Sequence, residues 1–380
     1  MRILQLANFY HATSGGLRTA IDAFAAGYVD AGHDVFLVVP GRRRGVAVVD
    51  GKTVICLRSP KVPQSGGYRT VIDQRSVTAL IERLRPDVIE LSDRTTLARI
   101  VVHQERRPPV VLFSHERLDL AISRKAPSGL DPTRLVDAWT RRLLRRVDAT
   151  VCASEFAAEE LDRLGPAPSR RVPLGVDLER FRPVRAGERS GPTEPTWSAG
   201  SHHRAVYVGR LSPEKHAGDA VAAVDRLVRT GRLVELLVVG DGPERADLET
   251  RAAGLPVRFV GHIGDRAEVA SILRQADVAI VPSPRETFGL AALEAMASGT
   301  PVATVTGGAV GELVTAGAGA VGAGLEGLAS AIASLFEGDR HQQRIAARRR
   351  AEEFSWDRSV AAMLDLHREV ARRDRFAAAG

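Results

Sequence analysis

The stretch Val278-Ala-Ile-Val-Pro-Ser-Pro-Arg-Glu-Thr-Phe-Gly-Leu-Ala-Ala-Leu-Glu-Ala-Met-Ala-Ser-Gly-Thr-Pro301 decides the fold. Its apolar opening, Val278 to Val281, has the length of a buried strand and ends at Pro282 and Pro284. Gly289 then opens a run of strong helix formers, Leu290 to Ala297, which Gly299-Thr300-Pro301 stops. The order is strand, tight loop, helix and turn. Glu286 falls in the loop and Glu294 more than one turn inside the helix, where it is the only charge between Phe288 and Ser298. A carboxylate on so apolar a helix is costly to bury without a strong partner. It is either bonded to a neighbouring loop or kept for a polyhydroxy ligand.

The same alternation extends in both directions. Ile3-Leu6, Val35-Val39, Val88-Leu91, Val110-Phe113 and Ala149-Cys152 read as buried parallel strands, and 17–31, 71–85 and 135–147 carry helical periodicity between them. The pattern breaks at Phe181-Arg182-Pro183, and from there to about Arg204 the chain is Gly, Pro, Ser, Thr and charge without a period. It restarts with Ala205-Val208, Glu235-Val239, Val257-Val260, Val278-Val281 and Val302-Thr304. Repeated βαβ alternation predicts two doubly wound parallel sheets, with a cleft where they face each other and ligands beyond the carboxyl ends of the strands. The expected division is 1–182, a linker 183–204, a second domain 205–355 and a terminal helix 356–380. That last helix presents Trp356, Val360, Met363, Leu364 and His367 on one side.

A chain of 380 residues suggests two cores rather than one. Hydrophobic residues at 44% and charged residues at 26% are ordinary for a globular protein. The opening Met-Arg-Ile-Leu-Gln-Leu-Ala has the start of a signal peptide, but Asn8 to Gly16 is polar, and a first buried strand fits better. No segment reaches the ~18 apolar residues of a membrane helix. The small-residue tract from Ala316 to Phe336 comes closest, and glycines and Glu326 interrupt it. Cys56 and Cys152 make no disulfide framework or metal cluster, which points to a reducing cytosol. The net charge of +7 lies in the first half: residues 1–180 hold 28 Lys+Arg against 21 Asp+Glu, and residues 181–380 hold 25 against 25. A basic half suits an anionic partner, and an Arg-rich composition that merely solubilises the surface gives the same count.

Several strand ends carry chemistry. Gly209-Arg210-Leu-Ser-Pro-Glu-Lys215 sets a glycine and two permanent cations after a strand, suited to a departing diphosphate or to plain solvation. Gly240-Asp-Gly-Pro243 has part of a dinucleotide fingerprint but lacks its third glycine, and reads as a turn into the next helix. Ser14-Gly15-Gly16 opens a helix where free N–H groups favour anions. His115 follows the strand Val110-Phe113, where a neutral imidazole can bond a sugar hydroxyl or serve only the structure. Leu135, Trp139, Leu143 and Val147 form an apolar stripe flanked by Arg141, Arg142, Arg145 and Arg146, read either as a core-facing helix or as an interfacial one. The 59–69 loop is basic and glycine-rich, suited to closing over an acceptor. There is no nucleophile elbow, P-loop, metal-spaced His/Cys cluster or Asp-x-Asp pair.

Taken together, Ser14-Gly15-Gly16, Ser114-His115-Glu116, Val172-Pro-Leu-Gly-Val-Asp-Leu-Glu-Arg-Phe181, Gly209-Arg210 with Lys215, Gly240-Asp-Gly-Pro243, and Glu286 with Glu294 before Ala297-Ser-Gly-Thr-Pro301 resemble the family-4 retaining glycosyltransferases. The resemblance covers most of the chain and implies the GT-B fold: two Rossmann-like domains, acceptor-binding and donor-binding, with the terminal helix crossing back to the first. It implies that Arg210 and Lys215 bind the donor diphosphate, and that Gly15, Gly16 and Gly209 lie beside it. Glu286 would contact the donor sugar, with the Phe288-Gly289-Leu290 amides on a phosphate. Glu294 would take the ribose hydroxyls, the loop at His262 and Ile263 the nucleobase, and His115 would stand near the transferred sugar. His115, Arg210, Lys215 and Glu286 are thereby the expected catalytic residues, with no metal or other cofactor.

More narrowly, the segments 5–20, 114–119 and 285–294 look like actinobacterial GDP-mannose-dependent phosphatidylinositol mannoside mannosyltransferases. That resemblance implies GDP-mannose as donor and an anionic glycolipid as acceptor. It also implies peripheral contact with the inner face of the plasma membrane from the cytoplasm, and no nucleic acid partner. A UDP-sugar-dependent relative (glucosyl or N-acetylglucosaminyl) and a non-catalytic nucleotide-sugar-binding protein are the alternatives, with an NAD oxidoreductase remote.

Overall fold

The computed structural model describes residues 1–11, 15–62, 67–104, 106–123, 133–166, 169–184, 197 and 203–379. Ser14, positions 63–66 of the basic loop and most of the 183–204 linker lie outside the described residues. The chain divides into two compact units, Met1–Leu174 with Trp356–Gly380, and Gly175–Ser355.

In the first unit the strands are β1 (Arg2–Leu6), β2 (Asp34–Gly41), β3 (Gly45–Val49), β4 (Lys52–Arg58), β5 (Val88–Leu91), β6 (Val110–Ser114), β7 (Ala149–Cys152) and β8 (Arg170–Arg171). They lie in the order β3-β4-β2-β1-β5-β6-β7-β8, parallel except for β3 against β4. β5 is buried along its whole length and β1 beyond its first residue, as sheets covered on both faces require. The β3–β4 hairpin is an addition to the expected strands. Its two-residue turn, Asp50-Gly51, has φ of 48° and 75°, the positive pair that matches the twist of adjoining strands.

The helix Trp356–Ala379 packs on this unit through the side foreseen for it. Val360 meets Gly27, where an added Cβ would come within 2.4 Å of Val360 Cγ2. Trp356 stands edge-on to Phe24, and His367 to Tyr28. Beneath them Glu90 is buried and accepts from Tyr28 Oη at 2.6 Å and Gln5 Nε2 at 2.8 Å, with His367 Nε2 at 2.9 Å. Burial alone would raise the Glu90 pKa; bonds from His367, Tyr28 and Gln5 hold it below the usual carboxylate range.

The second unit holds β9 (His203–Val208), β10 (Val234–Val239), β11 (Val257–Gly261), β12 (Val278–Val281), β13 (Val302–Val305) and β14 (Gly319–Gly322), ordered β11-β10-β9-β12-β13-β14 and parallel throughout. The segment before the linker belongs to this unit because Arg348 Nη1 donates to the carbonyls of Leu178, Phe181 and Ala297. Val176 N–H also donates to Phe354 O at 3.1 Å.

Both sheets are doubly wound. The chain reverses direction of winding between β1 and β5 in the first and between β9 and β12 in the second, and at such points the loops diverge and leave room for a ligand.

Candidate active site

The switch point of the second unit gathers most of the expected donor residues. β9 delivers Gly209 and Arg210 and then a 3-10 turn, Pro213–Lys215, while β12 delivers the loop 282–289. Lys215 Nζ meets Glu286 Oε1 at 2.5 Å, joining the two strand ends directly. Glu214, which sequence reading passed over, organises the first of these loops. Its Oε1 accepts from Arg210 Nη2 at 3.0 Å and Ser212 Oγ at 2.6 Å, and its carbonyl accepts from Ser283 Oγ at 2.8 Å. The Glu286 carbonyl is fixed in turn by Ala309 N–H at 2.9 Å. Both cations are thus paired, Arg210 with Glu214 at the exposed rim and Lys215 with Glu286 between the strand ends.

Glycine is required at two places around this arrangement. Gly240 has φ 147°, and an added Cβ would come within 1.8 Å of Gly209 O, so the Gly240-Asp-Gly-Pro243 turn lets the ends of β10 and β9 touch backbone to backbone. Gly289 caps the helix Leu290–Ala297 at φ 97°, and a Cβ there would meet Val310 Cγ2 at 2.6 Å. Phe288, Gly289 and Leu290 thus stand where the first amides of a helix lack intrahelical acceptors, a setting suited to a phosphate oxygen.

Glu294 is 6% exposed and ion-paired with Arg266, from the first turn of the helix Arg266–Gln275. The partner it has in the structure comes from a neighbouring helix. Arg266 also lies over the Phe181 ring, 5.0 Å from its centroid. Burial raises the Glu294 pKa, and the charges of Arg266 and Arg180 work against that rise. His262 is exposed and Ile263 half-buried, on the loop between β11 and the Arg266 helix. Arg266 had no signal of its own in the sequence beyond its place after that loop.

In the first unit, Gly15 and Gly16 open the helix Gly15–Asp30 and are exposed, with nothing within 4 Å of a Cβ built on Gly15. Asn8 ties the β1–β5 switch point together. Asn8 Nδ2 donates to Asp93 Oδ1 at 3.3 Å, Thr95 Oγ1 at 2.9 Å and Thr96 Oγ1 at 3.0 Å, and Asn8 Oδ1 accepts from Val71 N–H at 2.8 Å. His115 follows β6 and stacks on Phe113, centroids 4.4 Å apart at 16°. Burial lowers its pKa from the ordinary 6.5 to about 4, with Glu90 opposing. The ring is therefore neutral at pH 7 and able to donate to or accept from a hydroxyl.

That shift makes a prediction. Between pH 6.5 and about 4 the unfolded chain takes a proton that folded His115 refuses, so stability present above the window is lost as pH falls through it. Urea midpoints at pH 7 and pH 5 are expected to differ less in His115→Gln than in the parent protein; an equal difference would show that His115 is not held neutral.

The helix Thr133–Leu144 turns Thr140, Leu143 and Leu144 inward and leaves Leu135 74% exposed, so the foreseen stripe is buried only toward its carboxyl end. Trp139 Nε1 donates to Arg94 O at 2.9 Å. Among the described residues no helix is long and apolar enough to cross a membrane.

Comparison with known proteins agrees with this geometry. The model described as Glycosyltransferase Family 4 matches residues 14–180, and that described as Glycosyl transferases group 1 matches residues 202–338. The chain is 42% identical over 367 residues to the GDP-mannose-dependent alpha-(1-6)-phosphatidylinositol dimannoside mannosyltransferase of Mycobacterium tuberculosis, covering 96% of this chain and 95% of the relative. It is 30% identical over 293 residues to the GDP-mannose-dependent alpha-mannosyltransferase of Mycolicibacterium smegmatis, 74% of each chain. Among solved structures, the sucrose-phosphate synthase of Thermosynechococcus elongatus superposes with a TM-score of 0.80 at 21% identity over 100% of both chains. The expected GT-B fold class holds.

Proposed function

The chain belongs to glycosyltransferase family 4, and we propose that it moves an α-mannosyl group from GDP-mannose to a phosphatidylinositol mannoside with retention of configuration. The observation that carries this reading is the Lys215–Glu286 bridge at the β9 and β12 strand ends, with exposed Arg210 beside it. Two permanent cations stand where negative charge grows on a departing diphosphate, and a carboxylate stands where sugar hydroxyls would need acceptors. In this reading Arg210 and Lys215 take the diphosphate beside Gly209, and the Phe288-Gly289-Leu290 amides take a phosphate oxygen. Glu286 takes the mannose, Glu294 the ribose, and His262 and Ile263 the guanine. Gly15, Gly16 and His115 belong to the sugar and phosphate end of the reaction on the first unit. With those two cations in place, no metal is assigned a role.

No carboxylate is assigned as a covalent nucleophile. The C1–O bond to GDP breaks as the acceptor oxygen bonds to C1 on the same face, and the leaving phosphate oxygen receives the acceptor's proton. The acceptor is lipid-linked and anionic, which suits the basic first half of the chain and a place at the inner face of the plasma membrane.

A donor panel tests the proposal. With phosphatidylinositol dimannoside as acceptor, GDP-mannose is expected to turn over at least about a hundredfold faster than UDP-glucose or UDP-N-acetylglucosamine. Product linkage analysis then identifies the anomer. Turnover with a UDP-sugar and none with GDP-mannose would overturn the mannosyl reading, and a covalent mannosyl-enzyme would overturn the front-face mechanism.

A further inference from the structure

Strand β3 is outermost in the sheet of the first unit, paired to β4 on one side and, among the described residues, open on the other. Val46 is 67% exposed, Val48 74% and Val49 44%, and no residue of β3 is charged. Open apolar edges invite association, and sheets normally blunt them with charge, proline or a covering element. Val46 is paired with Ile55 and Val48 with Thr53, so both valines stand on the face that carries Ile55. Ile55 belongs to the core shared with Val77, Leu80 and Ile81 of the helix Gln74–Leu84, and the two valines extend that apolar face outward. Ile72, 59% exposed, precedes the helix. It is tied to the hairpin because Arg44 Nη2 donates to Asp73 Oδ2 and Ser76 Oγ, each at 2.8 Å.

Cations stand at one end of this patch. Arg42 and Arg43, exposed, lead into β3, and Arg58, also exposed, ends β4. None of the three pairs with a carboxylate among the described residues. Gly41 and Arg58 are register partners on parallel strands, so these arginines stand at the carboxyl end of the sheet. His115 follows β6 at that same end, and Asn8 follows β1 there.

We propose that the β3 hairpin is the surface that docks the protein on an anionic lipid bilayer. Val46, Val48 and Ile72 enter the headgroup–acyl boundary, and Arg42, Arg43 and Arg58 meet lipid phosphates. Charge complementarity selects this occupant: a second copy of the chain would bring the same unpaired arginines, whereas a bilayer brings the missing anions. His115 shares the carboxyl end of this sheet with the three arginines, so the docked arginines and the proposed sugar site lie at one end of the same sheet. The choice of lipid rests on the glycolipid-acceptor reading.

Sedimentation of the full chain with phosphatidylcholine vesicles, and with phosphatidylcholine–phosphatidylinositol vesicles, tests the inference apart from turnover. The parent chain is expected to bind the anionic vesicles preferentially. The R42Q/R43Q variant is expected to bind them about thirtyfold less tightly, and V46S/V48S about tenfold less tightly. GDP affinity, measured by calorimetry, should be unchanged in both variants, which also reports that they are folded. Parent-like sedimentation of both variants would overturn the inference while leaving the function standing. So would a parent chain that binds no vesicles, or a parent dimer that V46S/V48S converts to monomer. Loss of vesicle binding in the variants together with no GDP-mannose turnover in the parent would keep the surface and overturn the function instead.

Discussion

Replacing Glu286 by alanine is expected to lower kcat by about three orders of magnitude, while GDP affinity stays within a few-fold of the parent. The asymmetry follows from what each ligand offers. GDP carries the diphosphate proposed for Arg210 and Lys215 but lacks the sugar proposed for Glu286, so only the reaction feels the missing carboxylate. Lys215→Ala is the complement: it should weaken GDP about tenfold or more and also lower kcat, because the charge it meets is present in the bound diphosphate and grows as the bond breaks. The two side chains touch at 2.5 Å, so the double variant should cost less than the sum of the single ones. Folding is not the confounder. Lys215 is 33% exposed and Glu286 17%, and a part-buried pair of this kind at the rim of a loop contributes on the order of 1 kcal/mol to stability. Stopped-assay kcat, GDP calorimetry and thermal melting of the four proteins settle the matter. Equal and mild effects from Glu286→Ala and Glu294→Ala would mean that both carboxylates serve the structure.

The elements that were legible in the sequence are those whose burial is continuous. Val278 to Val281 and Val234 to Val239 are covered on both faces, so the apolar run is the strand. Of the β3–β4 hairpin, β3 is fully exposed and carries no burial to read, whereas β4 buries Ile55 and Leu57 in the core, and the Asp50-Gly51 turn between them is the available signal. β14, Gly319–Gly322, is built of glycine, alanine and valine, a composition that hides in a small-residue tract and becomes a strand only by pairing with β13. The site divides in the same way. Gly209, Arg210, Lys215 and Glu286 announce themselves because strand ends and glycines mark the place where a ligand approaches. Glu214 and Arg266 did not, since their role lies in partners from other parts of the fold: Ser283 for the one, Glu294 for the other. Leu135 illustrates the opposite error, a helical stripe that periodicity places inward and the fold leaves 74% exposed.

Glu294→Ala is expected to raise the donor KM by about a hundredfold with kcat within a few-fold, because two hydroxyl bonds to a charged acceptor contribute about 2–4 kcal/mol. The carboxylate is costly to the empty protein. Burial raises its pKa, and a group whose folded pKa is raised adds stability below its unfolded pKa and loses it as pH rises through the folded one. At neutral pH the ionised side chain is therefore a burden that Arg266 partly offsets, and Glu294→Gln should melt no lower than the parent while still binding donor poorly. Arg266 separates two accounts of the site. Its side chain is 40% exposed and able to swing into solvent, so the ion pair can open when ribose hydroxyls arrive. If it competes with the ribose, Arg266→Ala should lower the donor KM and enlarge the rise in melting temperature that GDP-mannose produces, because the ligand then relieves an unpaired buried charge. If it instead holds the carboxylate in place for the ribose, Arg266→Ala should raise the donor KM as Glu294→Ala does. The geometry favours competition. Glu294 is already nine-tenths buried on the helix Leu290–Ala297, whose backbone fixes it, and Arg266 reaches it from a neighbouring helix, leaning on Phe181.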